Sequence, residues 1–142
     1  MKSSASATWE GDLMSGKGRT TASSGTFKDA NLSWKARTEG AASHTTPEEL
    51  LAAAHASCFC MAFSNGLAKA GHPAKKLEAT CTVEFGPKQG GGFEVKGSHI
   101  EVRGQVPGID AAGFEKAAQA AKEGCPVSGA LKIPITLKAT LG

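Results

Sequence analysis

Between Leu50 and Phe63 the chain reads LLAAAHASCFCMAF, and His55 and Ser57 are its only polar residues. Clear helix-start signals precede the run. Thr45 and Thr46 can each cap, Pro47 suits the first helical position, and Glu48 and Glu49 each follow a Thr by three residues. Acidic charge there also complements the positive end of the helix dipole. The spacing predicts a helix to Lys69 or Ala70, where Gly71 ends it and Pro73 prevents its return. A helix apolar all round must be covered all round. One sheet of a 142-residue chain covers one face, and a short, Ala-rich second helix shields only part of the rest. A second copy of the same helix across a two-fold axis is the simplest cover, so the sequence predicts an intimate homodimer. A central helix wrapped by its own sheet is the alternative.

The flanking segments read as strands and one further helix. From Ala5 to Arg37, short alternating runs broken by Gly11, Gly16, Gly18 and Gly25 predict a three-stranded antiparallel meander. Trp9, Phe27, Leu32 and Trp34 would point inward, and Arg37 would end the third strand. From Leu77 the period becomes two: Leu77, Ala79, Cys81, Val83 and Phe85 share one face. GPKQGGG is a hairpin loop, and Phe93 to Val106 supplies the returning strand. Asp110 caps a shorter helix with Phe114, Ala117, Ala118 and Ala121 on one side. Gly124 ends it, Pro126 to Leu131 makes a turn or two of helix, and Ile133 to Leu141 is a final strand. The expectation is one α+β domain over residues 1–142.

Composition excludes several classes. The net charge is +3, from 16 basic and 13 acidic residues, and the basic residues form no stripe. Nucleic-acid binding leaves a stronger electrostatic footprint. No stretch approaches 18 uninterrupted apolar residues, which argues against a membrane span. The opening MKSSASATWEGD lacks the apolar core of a secretory signal. A cytoplasmic location is therefore expected, where thiols stay reduced. The four cysteines are then reactive, metal-binding or simply buried.

Two of them occupy distinctive settings. Cys58 lies in the middle of the apolar helix, where burial raises a thiol pKa. To react it needs a nearby cation, and Arg37 is the candidate because a guanidinium stays protonated when partly buried. Such an Arg needs a carboxylate, for which Glu48 is suited. Helical rise separates Glu48 from Cys58 by about 15 Å, so Arg37 bridges part of that distance or Glu48 comes from a partner subunit. A shared site at the dimer interface is the favoured arrangement. Cys125, in GCPVS, precedes Pro126 at a helix start, where exposed N–H groups and the dipole lower a thiol pKa. Cys81 reads as inward filler of a strand, and Cys60 points about 200° away from Cys58 on the helix. His55 lies one turn before Cys58 and could tune it, ligate a metal with it, or simply pack.

TPEELLAAAHASCFCMA, followed by VPGIDAAGFEKAAQAAKEGCPVS, resembles the OsmC branch of the OsmC/Ohr family of thiol-dependent peroxidases. The opening WEGDLMSGKGRTTASSGTF is similar to that branch as well. The resemblance implies an OsmC-like fold, with antiparallel sheets wrapped around two central helices in a homodimer carrying two interfacial sites. It implies that Cys58 attacks the peroxide O–O bond and becomes a sulfenic acid, and that Cys125 condenses with it to a disulfide. An external thiol, often a dihydrolipoyl group in the family, then restores the pair by exchange. The Arg and Glu that polarise the attacking thiolate correspond to Arg37 and Glu48, with Arg19 as a weaker alternative to Arg37.

The function expected is reduction of organic hydroperoxides, and less efficiently hydrogen peroxide, without a metal or other cofactor. Phe59, Met61 or Phe63 would line an apolar substrate pocket. The rival from another class is a metal-binding or redox-sensing module using His55, Cys58 and Cys125, although their spacing matches no common zinc pattern. A second rival is a structural or binding member that keeps the fold without the activity.

Overall fold

Gly-rich turns divide the N-terminal residues into β1 (Ala5–Glu10), β2 (Lys17–Ala22) and β3 (Ala30–Leu32), paired antiparallel in that order. Trp9 of β1 stands opposite Gly18 of β2. A Cβ on Gly18 would lie 2.7 Å from the Trp9 ring, so the missing side chain is what lets the indole lie flat across β2. The chain does not then continue as strand. It turns into α1 (Trp34–Glu39), whose N-cap Ser33 accepts a hydrogen bond from the Ala36 N–H. Arg37 therefore sits on a helix and not at the end of a third strand. Ser33, a good N-cap, was the signal for that turn.

The computed structural model describes residues 1–142, which form two compact units, Met1–Leu50 and Leu51–Gly142. The long helix α2 (Pro47–Lys69) begins as its sequence dictates. Thr46 Oγ1 accepts from the Glu49 N–H, and the Thr45 hydroxyl donates to the Glu49 carboxylate. It ends in a Schellman motif: the His72 N–H reaches the Leu67 carbonyl and the Gly71 N–H the Ala68 carbonyl, with Gly71 at φ 84°. By length and average hydropathy α2 passes as a membrane-spanning segment, which the lack of an unbroken apolar run did not foreshadow. In the fold one of its faces carries the core. His55, Phe59, Phe63 and Leu67 recur every four residues and are all fully buried.

The second unit also holds a sheet of β4 (Lys76–Pro87), β5 (Phe93–Gln105) and β6 (Ile135–Leu141), in that order. β4 and β5 pair antiparallel, but β5 and β6 pair parallel. The expectation of wholly antiparallel sheets is corrected at this point. Between β5 and β6 lie α3 (Ala111–Gly124) and α4 (Pro126–Ala130), and a crossover of that length returns the chain to run in the same direction. Asp110 Oδ1 caps α3 by accepting from the Gly113 N–H.

On β5, Ser98, Ile100, Val102 and Gly104 alternate onto the core face and are buried. Ile100 and Val102 pack with Phe59, Phe63 and Leu67 of α2 and with Phe114 and Ala118 of α3. The Phe63 ring lies 5.6 Å from that of Phe59 and 5.0 Å from that of Phe114, both tilted, inside the range where aromatic pairs attract. Gly104 makes room for this cluster. A Cβ there would meet Phe114 Cε2 at 2.5 Å and Leu77 Cδ2 at 3.0 Å. Gly104→Ala should therefore lower unfolding stability by about 1–3 kcal/mol, the usual range for overpacking. Denaturant unfolding followed by circular dichroism would check this, and an unchanged midpoint would show that the ring has space to move.

Candidate active site

The two pairs of residues singled out from sequence each come together. In the first unit, Arg37 of α1 meets Glu48 at the start of α2. Arg37 Nε lies 3.1 Å from both carboxylate oxygens of Glu48, and Nη2 lies 2.7 Å from Oε1. Two guanidinium nitrogens on one carboxylate form the planar fork that Arg, unlike Lys, can make. Glu48 is buried, with its side chain 8% exposed against 30% for Arg37. Both partners belong to one chain, so the carboxylate needed by Arg37 is intramolecular. Beside them lies a recess of about 280 Å³ whose walls include Trp9, Leu13, Leu32, Trp34 and Pro47. Arg19 is exposed on β2 and has no part in this pairing.

In the second unit, Cys58 in mid-α2 and Cys125 at the N-terminal boundary of α4 are near enough for each to act on the other's ionisation, and all four cysteines are free thiols. Cys125 is buried; Cys58 is half-buried. Their electrostatics differ. Burial pushes the Cys58 thiol above its ordinary pKa, partly offset by the Val127 N–H and reinforced by the neighbouring Cys125. Burial acts on Cys125 in the same direction but is outweighed. The Ser128 N–H, hydrogen bonds from Cys58 and the Ser128 hydroxyl, and the Val127 N–H hold Cys125 below its ordinary value. No side chain caps α4 by a conventional bond, and Pro126 takes its first position. The free N–H groups of that first turn are therefore available to the sulfur. The pair shares its ionisation, and within this unit the surroundings favour the charge on Cys125.

The other sequence candidates fall out differently. Phe59 and Phe63 are fully buried in the core, so they cannot wall a substrate pocket, while Met61 is 68% exposed. Cys60 lies on the side of α2 that meets the Ala79 N–H of β4, and burial raises its pKa. Cys81 is pushed up to about 11 by burial, then by Cys60 and Cys125. Neither thiol is set up to ionise. His55 is engaged on both sides: Nδ1 lies 2.8 Å from Ser98 Oγ and Nε2 2.8 Å from Ser128 Oγ. With both ring nitrogens occupied it offers no lone pair to a metal, and no group of three or more His, Cys, Asp or Glu is arranged to hold one. Ser98 and Ser128 are the site residues that sequence reading missed. The alternation of β5 puts Ser98 on the inward face, and only a polar residue among apolar neighbours hinted at it.

Known proteins place the chain. A family model described as OsmC-like protein matches residues 39–140. Peroxiredoxin OsmC of Escherichia coli is 42% identical over 129 residues, covering 91% of this chain and 89% of its own length. The chain belongs to the OsmC-like family. It is an oxidoreductase of the peroxidase kind. Among solved structures, the organic hydroperoxide resistance protein OhrB of Bacillus subtilis is 26% identical with a TM-score of 0.73, covering 98% of each chain. An OsmC-like protein of Vibrio cholerae reaches a TM-score of 0.75 at 17% identity, covering 98% of this chain and 99% of its own, and shares the fold alone.

Burial of His55 has a consequence for stability. Burial lowers its pKa from an ordinary 6.5, so below that pH the unfolded chain binds more protons than the folded one. Stability is then fully present above about pH 6.5 and is lost as pH falls toward the lowered value. Unfolding midpoints measured from pH 7.5 down to about pH 5 should decline in the parent chain and decline less in His55→Gln. Parallel curves for the two proteins would contradict a buried neutral imidazole.

Proposed function

We propose that this chain is a two-cysteine peroxidase acting on organic hydroperoxides, and less efficiently on hydrogen peroxide, as a single functional domain. The observation that carries the reading is that Cys58 and Cys125 are neighbours packed at the same core, each acting on the ionisation of the other. Two sulfurs so placed can become a disulfide by small adjustments of their side chains.

The steps follow. The Cys58 thiolate attacks one oxygen of the hydroperoxide, the O–O bond breaks, and the other oxygen leaves as the alcohol after taking a proton. Cys58 is left as a sulfenic acid. Cys125 then attacks the Cys58 sulfur, the S–O bond breaks, and water departs. An external dithiol, such as a dihydrolipoyl group, reduces the disulfide by two exchanges and is itself oxidised. Steps of this kind proceed without metal or prosthetic group.

Cys58 needs help to ionise, since burial raises its pKa. In this reading Arg37, held in place by the Glu48 fork, supplies the positive charge that stabilises the attacking thiolate and the departing oxygen. The recess beside Arg37, walled by Trp9, Leu13 and Leu32, suits the alkyl part of an organic peroxide and supports a preference over hydrogen peroxide. The active form in this reading is a homodimer. Ala53, Ala54, Ser57 and Met61 of the largely apolar α2 are exposed in one chain. A second copy would cover that apolar surface, and the site would lie at the interface. The cytoplasm is where a dithiol could recycle it.

Cys58→Ser should abolish turnover of tert-butyl hydroperoxide with dihydrolipoamide; retained activity would refute the assignment. Cys125→Ser should consume about one peroxide per site and stall as the sulfenic acid, trappable by dimedone. Normal turnover by that variant with a dithiol would remove Cys125 from the mechanism.

A further inference from the structure

Three buried side chains of the second unit have no part in the steps above. His55 of α2 is 0% exposed, Ser98 of β5 2% and Ser128 of α4 9%. They form one line: Ser98 Oγ to His55 Nδ1, and His55 Nε2 to Ser128 Oγ, each at 2.8 Å. The line ends beside the reacting pair: Ser128 stands in the first turn of α4, three residues after its N-cap Cys125, and its hydroxyl helps hold the Cys125 thiol below its ordinary pKa.

Counting hydrogens fixes the direction of these bonds. Each Ser hydroxyl carries one hydrogen, and a neutral imidazole carries one N–H and one acceptor nitrogen. If the imidazole proton is on Nδ1, it donates to Ser98, the Ser128 hydrogen turns to Nε2, and nothing from Ser128 remains for Cys125. If the proton is on Nε2, Ser98 donates to Nδ1, Nε2–H donates to Ser128, and the Ser128 hydrogen is free for the sulfur. Only the second arrangement gives every hydrogen an acceptor when Cys125 is charged. A protonated His55 would donate on both sides, and burial disfavours that form.

We propose that Ser98, His55 and Ser128 act as a hydrogen-bond relay that aims the Ser128 hydroxyl hydrogen at the Cys125 sulfur and so readies Cys125 to resolve the Cys58 sulfenic acid. The relay rests on the two-cysteine reading and deepens it. In the resolving step a Cys125–Cys58 bond forms, the Cys58 S–O bond breaks, and the leaving oxygen departs as water with the proton that Cys125 has given up. The two electrons come from Cys125. Ser128 acts on the reacting sulfur directly, whereas His55 and Ser98 act through Ser128; all three are positioning residues.

The relay can be tested without peroxide. In the Cys58→Ser chain, the ultraviolet absorbance of the Cys125 thiolate is titrated against pH, with Cys58→Ser/Cys125→Ser as the blank. Ser128→Ala should raise the midpoint by about one pH unit, the worth of one lost hydrogen bond to a charged group. Ser98→Ala should move it in the same direction, and Ser128→Thr, which keeps the hydroxyl, should restore it. With Cys58 present and one equivalent of tert-butyl hydroperoxide, disulfide formation at neutral pH should slow about tenfold in Ser128→Ala. A role in packing alone would change unfolding stability but leave the titration where it was. An unmoved midpoint in Ser98→Ala would overturn the relay, and an unmoved midpoint in Ser128→Ala would remove its last step as well. Should Ser128→Ala fail to fold, an unmoved midpoint in Ser98→Ala overturns it alone. A parent chain that consumes no hydroperoxide would sink the peroxidase reading, and with it the resolving role, whereas unmoved midpoints sink the relay only.

Discussion

The nearness of Cys58 and Cys125 rests on the packing of two elements, the middle of a long apolar helix and the first turn of a five-residue one, which the His55–Ser128 hydrogen bond also joins. It is held from both sides. On α2, the stripe of His55, Phe59, Phe63 and Leu67 fixes the rotation of the helix against the sheet, and Cys58 is carried with it. On the other side, α3 packs Phe114, Ala118 and Ala121 into the same core, and Gly124 delivers the chain to Cys125 directly. Both sulfurs are thus positioned by aromatic and aliphatic packing, and neither depends on a flexible loop. Sites built on packed elements hold their geometry more closely than sites built on loops.

The same nearness sets a division of charge. Cys58 has burial against it and only the Val127 N–H in its favour within its unit. Cys125 has the amide groups of a helix start and a serine hydroxyl. The proposed mechanism puts the attacking thiolate at Cys58, so it calls for a cation from elsewhere, and the Arg37–Glu48 fork is the source we propose. Keeping Glu48 buried and doubly bonded limits how far the guanidinium can wander. An unpaired Arg would be freer and worse placed.

Much of this was legible in the sequence, and the failures have identifiable causes. The start and stop of α2 were written in Thr46, Pro47, Glu49 and Gly71, each acting through local backbone chemistry. The alternation of β4 was equally plain, because a half-buried strand shows period two. The alternation of Leu32 and Trp34 reads as strand up to Arg37, yet Ser33 outweighs that pattern by capping a helix. The parallel pairing of β6 depends on where α3 and α4 return the chain, which no local pattern encodes. Phe59 and Phe63 read as pocket walls from sequence because, on an all-apolar helix, the sequence does not say which face turns to the core. Ser98 and Ser128 matter only through His55, from 43 and 73 residues away, and such partnerships are invisible until the fold brings them together.

The most direct measurement is to treat the purified chain with one equivalent of an organic hydroperoxide and map the resulting disulfides by peptide mass spectrometry without reduction. The account predicts a single dominant crosslink between the peptides carrying Cys58 and Cys125, with Cys60 and Cys81 still reduced. A crosslink through Cys60 or Cys81 in its place, or a product in which Cys58 remains a thiol, would contradict it.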